Sequence, residues 1–408
     1  MRMIKTSLSV LLPLLILAAV IVPAQAKGAA YQTGFTRWRA AEGGFSGWAL
    51  SGVSLDASGA LAFDPGSAVA ETDPYSPGGY YGINFYNGGS YWVGEATSPE
   101  LPAPFAFKEA IASWNASTPA GAWVEILMRV DLGGLWTKWY NLGIWASTSD
   151  TITRHSVRLQ GDTDGFVAVD TLVLTNKKNT PTQYQLKFRL FSADGSAAAT
   201  LTNASLAFST AADKPKELQP GNPAYWGTLL AVPECSQMVY PDGGEVWCSP
   251  TSTSMVLGFW GTDPGPCEPR VRAAVEGVYD VIYDGHGNWP FNTAYAAARG
   301  YEAYVVRFSS MAQVEPWIAA GVPVVVSFAW GKSDLTGAAI PSSSGHLAVL
   351  VGFDSSGNPI VNDPAASADA DVQRTYLRAE FESLWLEHSG GTSYLIYPAG
   401  HPVPAVIP

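Results

Sequence analysis

The stretch VPECSQMVYPDGGEVWCSPTSTSMVLGFWG, residues 232–261, contains the start of a helix with a cysteine at its first position. Apolar residues at helical spacing follow Cys248 and share one face: Met255, Val256, Phe259 and Trp260. Pro250 falls in the first turn, where the backbone N–H that proline lacks would have no partner within the helix. The stretch therefore predicts a helix from Cys248 to Trp260, with the thiol at its N-terminal end.

The sequence after this helix predicts helices first and strands afterwards. Further helices are indicated at Val271–Ile282, Phe291–Ala298, Ala312–Ala320 and Ala379–His388, and strands at Ala303–Phe308, Val322–Phe328, His346–Phe353 and Tyr394–Tyr397. Helices followed by an antiparallel sheet are typical of an α+β domain. We place this domain at residues 225–400.

The sequence before residue 211 has a different character, with strands and turns but no helical periodicity. Residues 185–190 alternate polar and apolar side chains, as does Ala122–Val130, and such alternation is typical of antiparallel strands with one buried face. Residues 27–210 are therefore predicted to form an all-β sandwich or jelly roll. The polar, proline-rich residues 211–224 suit an extended linker, so the sequence predicts a multidomain chain.

The N-terminus has the pattern of a secretory signal peptide at residues 1–26. Arg2 and Lys5 precede an apolar run from Leu8 to Val22, and small residues follow up to Ala26. A membrane anchor is disfavoured because this run is shorter than the roughly 20 residues that a spanning helix needs. We expect a secreted or cell-surface protein without an integral membrane segment after cleavage. The net charge of −12, without a basic run, argues against nucleic acid as a partner.

The chain has three cysteines, so at least one thiol stays free, and three pairings are possible. At a helix N-terminus, the positive end of the backbone dipole favours the thiolate of Cys248. A nearby imidazolium would lower the thiol pKa further, and His346, at the start of a strand, is the best candidate. Asp363 follows on the next predicted strand.

A hairpin between those two strands would bring His346 and Asp363 close together. Side chains along a strand alternate between the two faces of a sheet. His346 and Asp363 therefore share a face only if residues that lie directly opposite each other in the two strands have numbers with an odd sum. A two-residue loop at Ser355-Ser356 gives that parity, whereas a three-residue loop breaks it unless a β-bulge restores it.

Four segments together resemble the bacterial double-glycine-leader, bacteriocin-processing peptidase-like family of the papain clan: residues 232–261, GNWPFNTAYAAARGYEAYVVRF (287–308), SSGHLAVLVGF (343–353) and IVNDPAA (360–366). The resemblance implies a papain-like cysteine peptidase domain. By it Cys248 is the nucleophile, His346 the general base and acid, and Asp363 the residue that orients the imidazole. Gln237 and the backbone N–H of Cys248 would form the oxyanion hole. Ser249 departs from the usual Cys-Gly-Pro pattern.

With Cys248 assigned as the nucleophile, Cys235 and Cys267 are the expected disulfide. His286 is read as a turn residue, and no histidine pair has zinc-ligand spacing, so we expect neither a metal nor another cofactor. Asp162–Gly165 resembles part of a calcium loop but lacks the later acidic ligand, which favours a plain turn. One aromatic set offers either a sugar platform or, as we prefer, core packing: Trp136, Trp139, Tyr140 and Trp145.

These observations predict an exported cysteine peptidase that hydrolyses peptide bonds of a peptide or protein substrate through a thioester. The β-rich half is a candidate for contact with a cell-surface glycan or protein. One alternative is a catalytically inactive papain-like scaffold in a secreted binding protein. Another is an amidase or acyl transferase acting on cell-wall peptides, because one fold supports several acyl-group reactions.

Overall fold

A computed structural model describes residues 31–405 except 177–178, 213–214, 216 and 262–264. The predicted signal peptide, residues 1–26, lies outside the described residues, and the predicted linker lies partly outside them. No helix in the described part of the chain is both long enough and apolar enough to cross a membrane. Residues from Tyr31 onward belong to one compact unit.

The first half of this unit consists of β-strands, as the sequence predicts. They are β1 (Thr33–Arg39), β2 (Ala49–Ser51), β3 (Val53–Leu55), β4 (Leu61–Phe63), β5 (Val69–Thr72), β6 (Ser90–Thr97), β7 (Leu101–Pro102), β8 (Glu109–Ser117), β9 (Ala122–Asp131), β10 (Tyr140–Trp145), β11 (Gly165–Ala168), β12 (Thr171–Leu174), β13 (Gln183–Ser192) and β14 (Thr200–Ser209).

These strands form two seven-stranded antiparallel sheets. One has the order β11-β12-β8-β14-β4-β3 with β1 on β14, and the other has the order β10-β9-β13-β6-β2 with β5 on β6 and β7 on β13. Alternation along β9 and β13 buries Ile126, Met128 and Phe188 completely, and these side chains share one core with Ile111 and Trp114 of the first sheet. The period-two pattern in the sequence therefore identified the buried face.

The second half adds the helices and a third sheet. Its elements are α1 (Cys248–Phe259), α2 (Cys267–Val278), α3 (Trp289–Ala297), β15 (Tyr301–Arg307), α4 (Glu315–Ala319), β16 (Val324–Trp330), β17 (Ser343–Phe353), β18 (Pro359–Asn362), β19 (Gln373–Thr375), α5 (Arg378–Ser389) and β20 (Thr392–Pro398). The six strands are ordered β15-β20-β16-β17-β18-β19.

One predicted helix in this half is split. The sequence predicts a helix at Ala312–Ala320, whereas the chain forms a 3-10 turn at Met311–Gln313 and then the short helix α4. Pro316 lies in the first turn of α4, where its missing N–H costs nothing, but it could not have continued a helix from the preceding turn. The proline thus restarts the helix.

The β-rich half packs directly against the second half. Asn115 Nδ2 donates to the carbonyl of Ala303 at 2.6 Å, and the backbone N–H of Val305 donates to Ser113 Oγ at 3.0 Å. The ring of Trp114 meets the edge of Phe291 in α3, with ring centres 6.2 Å apart. Strands β8 and β15 and helix α3 are thereby held together. The exact domain boundary at residues 211–224 stays a prediction.

Candidate active site

Cys248 is the first residue of α1 and the one free cysteine among the described residues. The residue is half-buried and lines a cleft, and it lies where unpaired helix N–H groups and the helix dipole favour a negative charge. The helix is tied to the third sheet because Ser252 Oγ donates to the carbonyl of Leu347 in β17 at 3.1 Å. That bond fixes Cys248 beside the N-terminal part of β17.

His346 lies in β17 and its ring is almost fully buried. Nε2 is 2.7 Å from Oδ1 of Asp363, which directly follows β18 and is completely buried. The rings of Phe328 and Trp330 contact the imidazole edge-on, each with its centre 5.4 Å from that of the histidine. With Nε2 directed at Asp363, Nδ1 is the ring nitrogen left for the thiol.

The hairpin that joins His346 and Asp363 differs from the simplest expectation. Phe353 pairs with Pro359, so the loop has five residues, 354–358, and the sum of the paired numbers is even. A bulge between Leu350 and Gly352 then shifts the register, and Val349 pairs with Asn362, whose numbers have an odd sum. The bulge, not a two-residue turn, therefore puts the two side chains on one face.

Asp363 has further partners that fix its carboxylate. Tyr376 donates its hydroxyl to Oδ2 at 2.6 Å, and the backbone N–H of Ala365 donates to Oδ1 at 2.9 Å. Tyr376 was not identified from the sequence, because it follows the short strand β19 and belongs to no recognisable motif. It nonetheless completes a chain of contacts from the carboxylate to the imidazole.

The charges of these groups shift their pKa values in a consistent way. Burial alone would raise the thiol pKa of Cys248, but a hydrogen bond with His346 and the imidazolium charge outweigh burial and lower it. Burial alone would lower the pKa of His346, but the carboxylate of Asp363 and the thiolate together raise it to about 10. The pKa of Asp363 is lowered because His346 and Tyr376 outweigh burial. The site therefore favours a thiolate–imidazolium pair.

Gln237 lies in a 3-10 turn and is buried beside the same cleft. Its Nε2 donates to the carbonyl of Gly244 at 2.8 Å, while its Oε1 has no partner. Its backbone N–H donates to the carbonyl of Pro364 at 2.8 Å, which joins this turn to the segment of Asp363. The structure thus brings Gln237 to the cleft that contains Cys248 and His346.

Cys235 and Cys267 form a disulfide with their Cα atoms 5.7 Å apart. This is the pairing expected from the sequence, and it leaves Cys248 free. The bond connects the segment before the 3-10 turn of Gln237 to the first residue of α2. It therefore supports the wall of the cleft on which Gln237 lies.

The cleft around Cys248 has a volume of about 770 Å³ and is lined from both halves of the chain. His286, interpreted from the sequence as a turn residue, lies in a bend and also lines this cleft. Burial lowers the pKa of its ring to about 4, so it is neutral at pH 7. Among the described residues, no group of three or more His, Cys, Asp or Glu side chains is arranged to hold a metal ion.

Two other features of the β-rich half are structural. Asp162 Oδ1 accepts from the backbone N–H groups of Asp164 and Gly165, which closes a turn. Tyr140 and Trp145 are completely buried, so they offer no surface to a sugar. The guanidinium of Arg129 lies 4.5 and 4.7 Å from the ring centres of the two remaining members of the aromatic set, Trp136 and Trp139. Core packing therefore describes Tyr140 and Trp145, whereas Trp136 and Trp139 are half-buried and their packing role stays a prediction.

Comparisons with known proteins find similar families for two regions of the chain. Residues 34–209 match the family model described as peptidase C39 N-terminal domain, and residues 229–393 match the peptidase C39-like family. Residues 229–393 thus belong to the peptidase C39-like family. Its solved structural neighbours include one titled “Crystal structure of an putative C39-like peptidase from Bacillus anthracis”, at 17% identity and a TM-score of 0.30. That match covers 42% of this C39-like chain and 97% of the other, and no curated protein matches.

Proposed function

We propose that this C39-like chain is an exported cysteine peptidase with a papain-like catalytic half, in which Cys248 is the nucleophile. The observation that carries the proposal is the 2.7 Å contact between His346 Nε2 and Asp363 Oδ1, with the thiol of Cys248 hydrogen-bonded to the same imidazole. Acyl transfer by a thiol requires a nucleophile in contact with a base, and a third group in contact with the base that orients it. The family assignment supports a peptide as substrate.

The first half-reaction forms a thioester. The thiolate of Cys248 attacks the carbonyl carbon of the scissile amide, and the carbonyl electrons move to oxygen. As that intermediate collapses, the C–N bond breaks, and the imidazolium of His346 transfers its proton to the leaving nitrogen. The products are a free amine and an acyl group on Cys248.

The second half-reaction restores the thiolate. Neutral His346 takes a proton from water, and the resulting hydroxide oxygen attacks the thioester carbonyl. The C–S bond then breaks, which releases a carboxylic acid and returns the thiolate–imidazolium pair. Asp363 holds the imidazole in the required orientation and stabilises its charge throughout.

Two donors are available for the oxyanion of the tetrahedral intermediates. The backbone N–H of Cys248 is one of the helix N–H groups without an intrahelical partner. The amide nitrogen of Gln237 carries two hydrogens, and only one is needed for the bond to Gly244. A preset donor of this kind contributes about 3 to 4 kcal/mol to lowering the barrier, so Gln237→Ala should reduce kcat by roughly 10²–10³-fold.

Export is part of the proposal because the N-terminal residues have the pattern of a signal peptide and the structure contains a disulfide. Disulfides persist in oxidising compartments and are rare in the cytosol of ordinary cells. Binding of a cell-surface glycan or protein by the β-rich half stays a hypothesis, and of the four aromatic residues considered for a sugar platform, Tyr140 and Trp145 are buried and cannot contribute to it.

The direct test treats a proteome-derived peptide mixture with wild type, Cys248→Ser and His346→Ala, and identifies new termini by mass spectrometry. His401→Ala is the matched control, because His401 bonds to the Ala320 carbonyl and does not line the cleft. A mild reduction precedes the assay, and intact mass confirms that the Cys235–Cys267 disulfide survives. We expect cleavage by wild type and the control alone.

The result that contradicts a peptidase is an uncut mixture together with alkylation of Cys248 by iodoacetamide no faster than that of a free thiol. A different result would favour the amidase or acyl-transferase alternative: Cys248 is alkylated rapidly and the peptide mixture stays uncut, but the protein deamidates cell-wall peptides or transfers an acyl group from them. The inactive-scaffold alternative would be favoured if the protein showed neither activity and if Cys248→Ser left its binding to a glycan or protein unchanged.

A further inference from the structure

The cleft beside Cys248 is not built by the peptidase half alone. Its lining includes residues 168–171, the turn that joins strands β11 and β12 of the β-rich half, and Glu109 of β8. The peptidase half contributes a loop at residues 283–287, between α2 and α3, to the same cleft. A substrate that reaches Cys248 therefore passes between parts of both halves.

A buried carboxylate of the β-rich half holds one end of that loop. Asp170 Oδ2 accepts from the backbone N–H of Trp289, the first residue of α3, at 2.7 Å. Asp170 Oδ1 accepts from the hydroxyl of Thr171 at 2.9 Å, and the side chain is only 5% exposed. Burial raises the pKa of this side chain to about 7, although the bonds from Trp289 and Thr171 oppose that rise. Asp170 thus fixes the start of α3 to the β11–β12 turn.

A second buried carboxylate holds the other end of the loop. This one belongs to the peptidase half and accepts a hydrogen bond from the β-rich half. Asp280 Oδ1 accepts from the backbone N–H of Ser156 in the β-rich half at 3.0 Å, and from that of Tyr283 at 3.1 Å. Its Oδ2 accepts from Asn288 Nδ2 at 2.9 Å. Residues 280–289 are therefore held at both ends by bonds that cross between the halves.

The loop held in this way contributes one large aromatic side chain, that of Tyr283, to the cleft. Tyr283 is 42% exposed, and two further exposed apolar side chains line the cleft from the segment of Gln237: Met238 (43%) and Val246 (61%). Tyr283, Asp170 and Cys248 line the same cleft. Exposed apolar side chains in a cleft beside a nucleophile are typical of a substrate pocket.

We propose that the β-rich half determines substrate preference by holding the loop of Tyr283 through Asp170, and that the preferred substrate is a peptide with an apolar side chain at this position. The inference rests on the proposed function only in that Cys248 must react with a peptide bound in this cleft. Asp170 is a positioning residue, because it acts through Trp289 and the loop and makes no bond to the reacting atoms.

The test measures the rate at which Cys248 is alkylated by acetyl-dipeptidyl chloromethyl ketones, in which each residue in turn is Gly, Leu, Phe, Asp or Lys. Iodoacetamide, which is too small to need the pocket, reports the reactivity of the thiol itself. The variants are Asp170→Ala, the isosteric Asp170→Asn and Tyr283→Ala. Asp56→Ala is the matched control, because Asp56 also holds a turn in the β-rich half but does not line the cleft.

We expect wild type and the control to react at least about tenfold faster with Leu or Phe reagents than with Gly or Asp reagents, the range that one apolar pocket provides. Asp170→Ala and Tyr283→Ala should lose most of that preference through weaker reagent binding, whereas Asp170→Asn, whose amide oxygen can still accept from the backbone N–H of Trp289, should keep more of it. The maximal inactivation rate and the iodoacetamide rate of the Asp56→Ala control should stay within about twofold of wild type.

Each contrary result has a separate meaning. An unchanged Leu or Phe preference in a correctly folded Asp170→Ala variant would overturn the role of the β-rich half. A wild-type enzyme without apolar preference would overturn the assigned substrate class. Slow reaction of wild-type Cys248 with iodoacetamide would contradict the proposed function instead. Because this rate is measured with iodoacetamide and not with the peptidyl reagents, the two failures can be distinguished.

Discussion

Nε2 of His346 lies 2.7 Å from Oδ1 of Asp363, although the loop of their hairpin has the wrong parity to place them on one face. The bulge between Leu350 and Gly352 restores that parity. The contact has an electrostatic consequence, because a buried carboxylate beside the imidazole keeps it protonated and thereby helps to keep the thiol of Cys248 ionised.

The first prediction concerns the pH dependence of Cys248 alkylation. The lowered thiol pKa means that, below the ordinary thiol pKa of about 8.5, iodoacetamide should react faster with Cys248 than with a free cysteine. Asp363→Ala removes the charge that holds His346 protonated, so alkylation at pH 6.5 should fall at least about tenfold. Rates measured by mass spectrometry from pH 5 to 10 should converge at the alkaline end, where both thiols are ionised.

Asp363→Asn is the control for this prediction, because its amide oxygen can still accept a hydrogen bond but carries no charge. Its rate at pH 6.5 should lie between those of wild type and Asp363→Ala. Peptide cleavage by wild type should also decline as the pH rises through about 10, since His346 must be protonated to donate to the leaving nitrogen. A pH profile identical in all three proteins would show that Asp363 has no electrostatic role.

The second prediction concerns Tyr376, whose hydroxyl donates to Asp363 Oδ2 at 2.6 Å. Tyr376→Phe removes one donor to a buried carboxylate and loosens the orientation of His346. We expect kcat/KM for a cleaved peptide to fall by about tenfold, the equivalent of one charge-assisted hydrogen bond. Tyr304→Phe is the matched control, because it removes a buried bond to Tyr397 that does not involve the cleft. Equal effects of the two substitutions would contradict a positioning role.

The contrast between Tyr376 and Cys248 shows what the sequence could and could not predict. The helix at Cys248, the strand at His346 and the alternation in β9 are local patterns with a fixed period, so they were predicted to within a few residues. The bond from Tyr376 to Asp363 and the bulge near Val351 depend on how distant segments meet, and no local pattern encodes them. The same holds for the turn at Asp170, which reaches the cleft only through packing of the two halves.

The third prediction concerns the disulfide between Cys235 and Cys267, which are 32 residues apart in sequence. A cross-link over a loop of this length stabilises the folded state by about 3 to 4 kcal/mol in the chain-entropy model. The double variant Cys235→Ser/Cys267→Ser should lose about that much unfolding free energy in a urea titration. Wild type in strong reductant should lose a similar amount. A loss below about 1 kcal/mol in both would show that the cross-link does not constrain the unfolded chain.

The fourth prediction concerns Gly352, the residue at the bulge that sets the parity of the hairpin. A Cβ at this position would overlap the carbonyl oxygen of Thr228, which belongs to a backbone segment bonded to β17 and cannot move independently. Gly352→Ala should therefore cost roughly 1 to 3 kcal/mol of unfolding free energy, because the strand must shift to admit the methyl group. Gly89→Ala is the control, since a Cβ there meets no atom within 4 Å.

The same substitution separates stability from geometry at the active site. If Gly352→Ala shifts the bulge, the contact between His346 and Asp363 should lengthen, and alkylation of Cys248 at pH 6.5 should slow in the direction seen for Asp363→Ala. The folded fraction, measured by circular dichroism at the assay temperature, shows whether the slower rate belongs to native protein. A variant with reduced stability but the wild-type alkylation profile would mean that the bulge survives the added methyl group, and that the hairpin register, not Gly352 itself, holds the pair together.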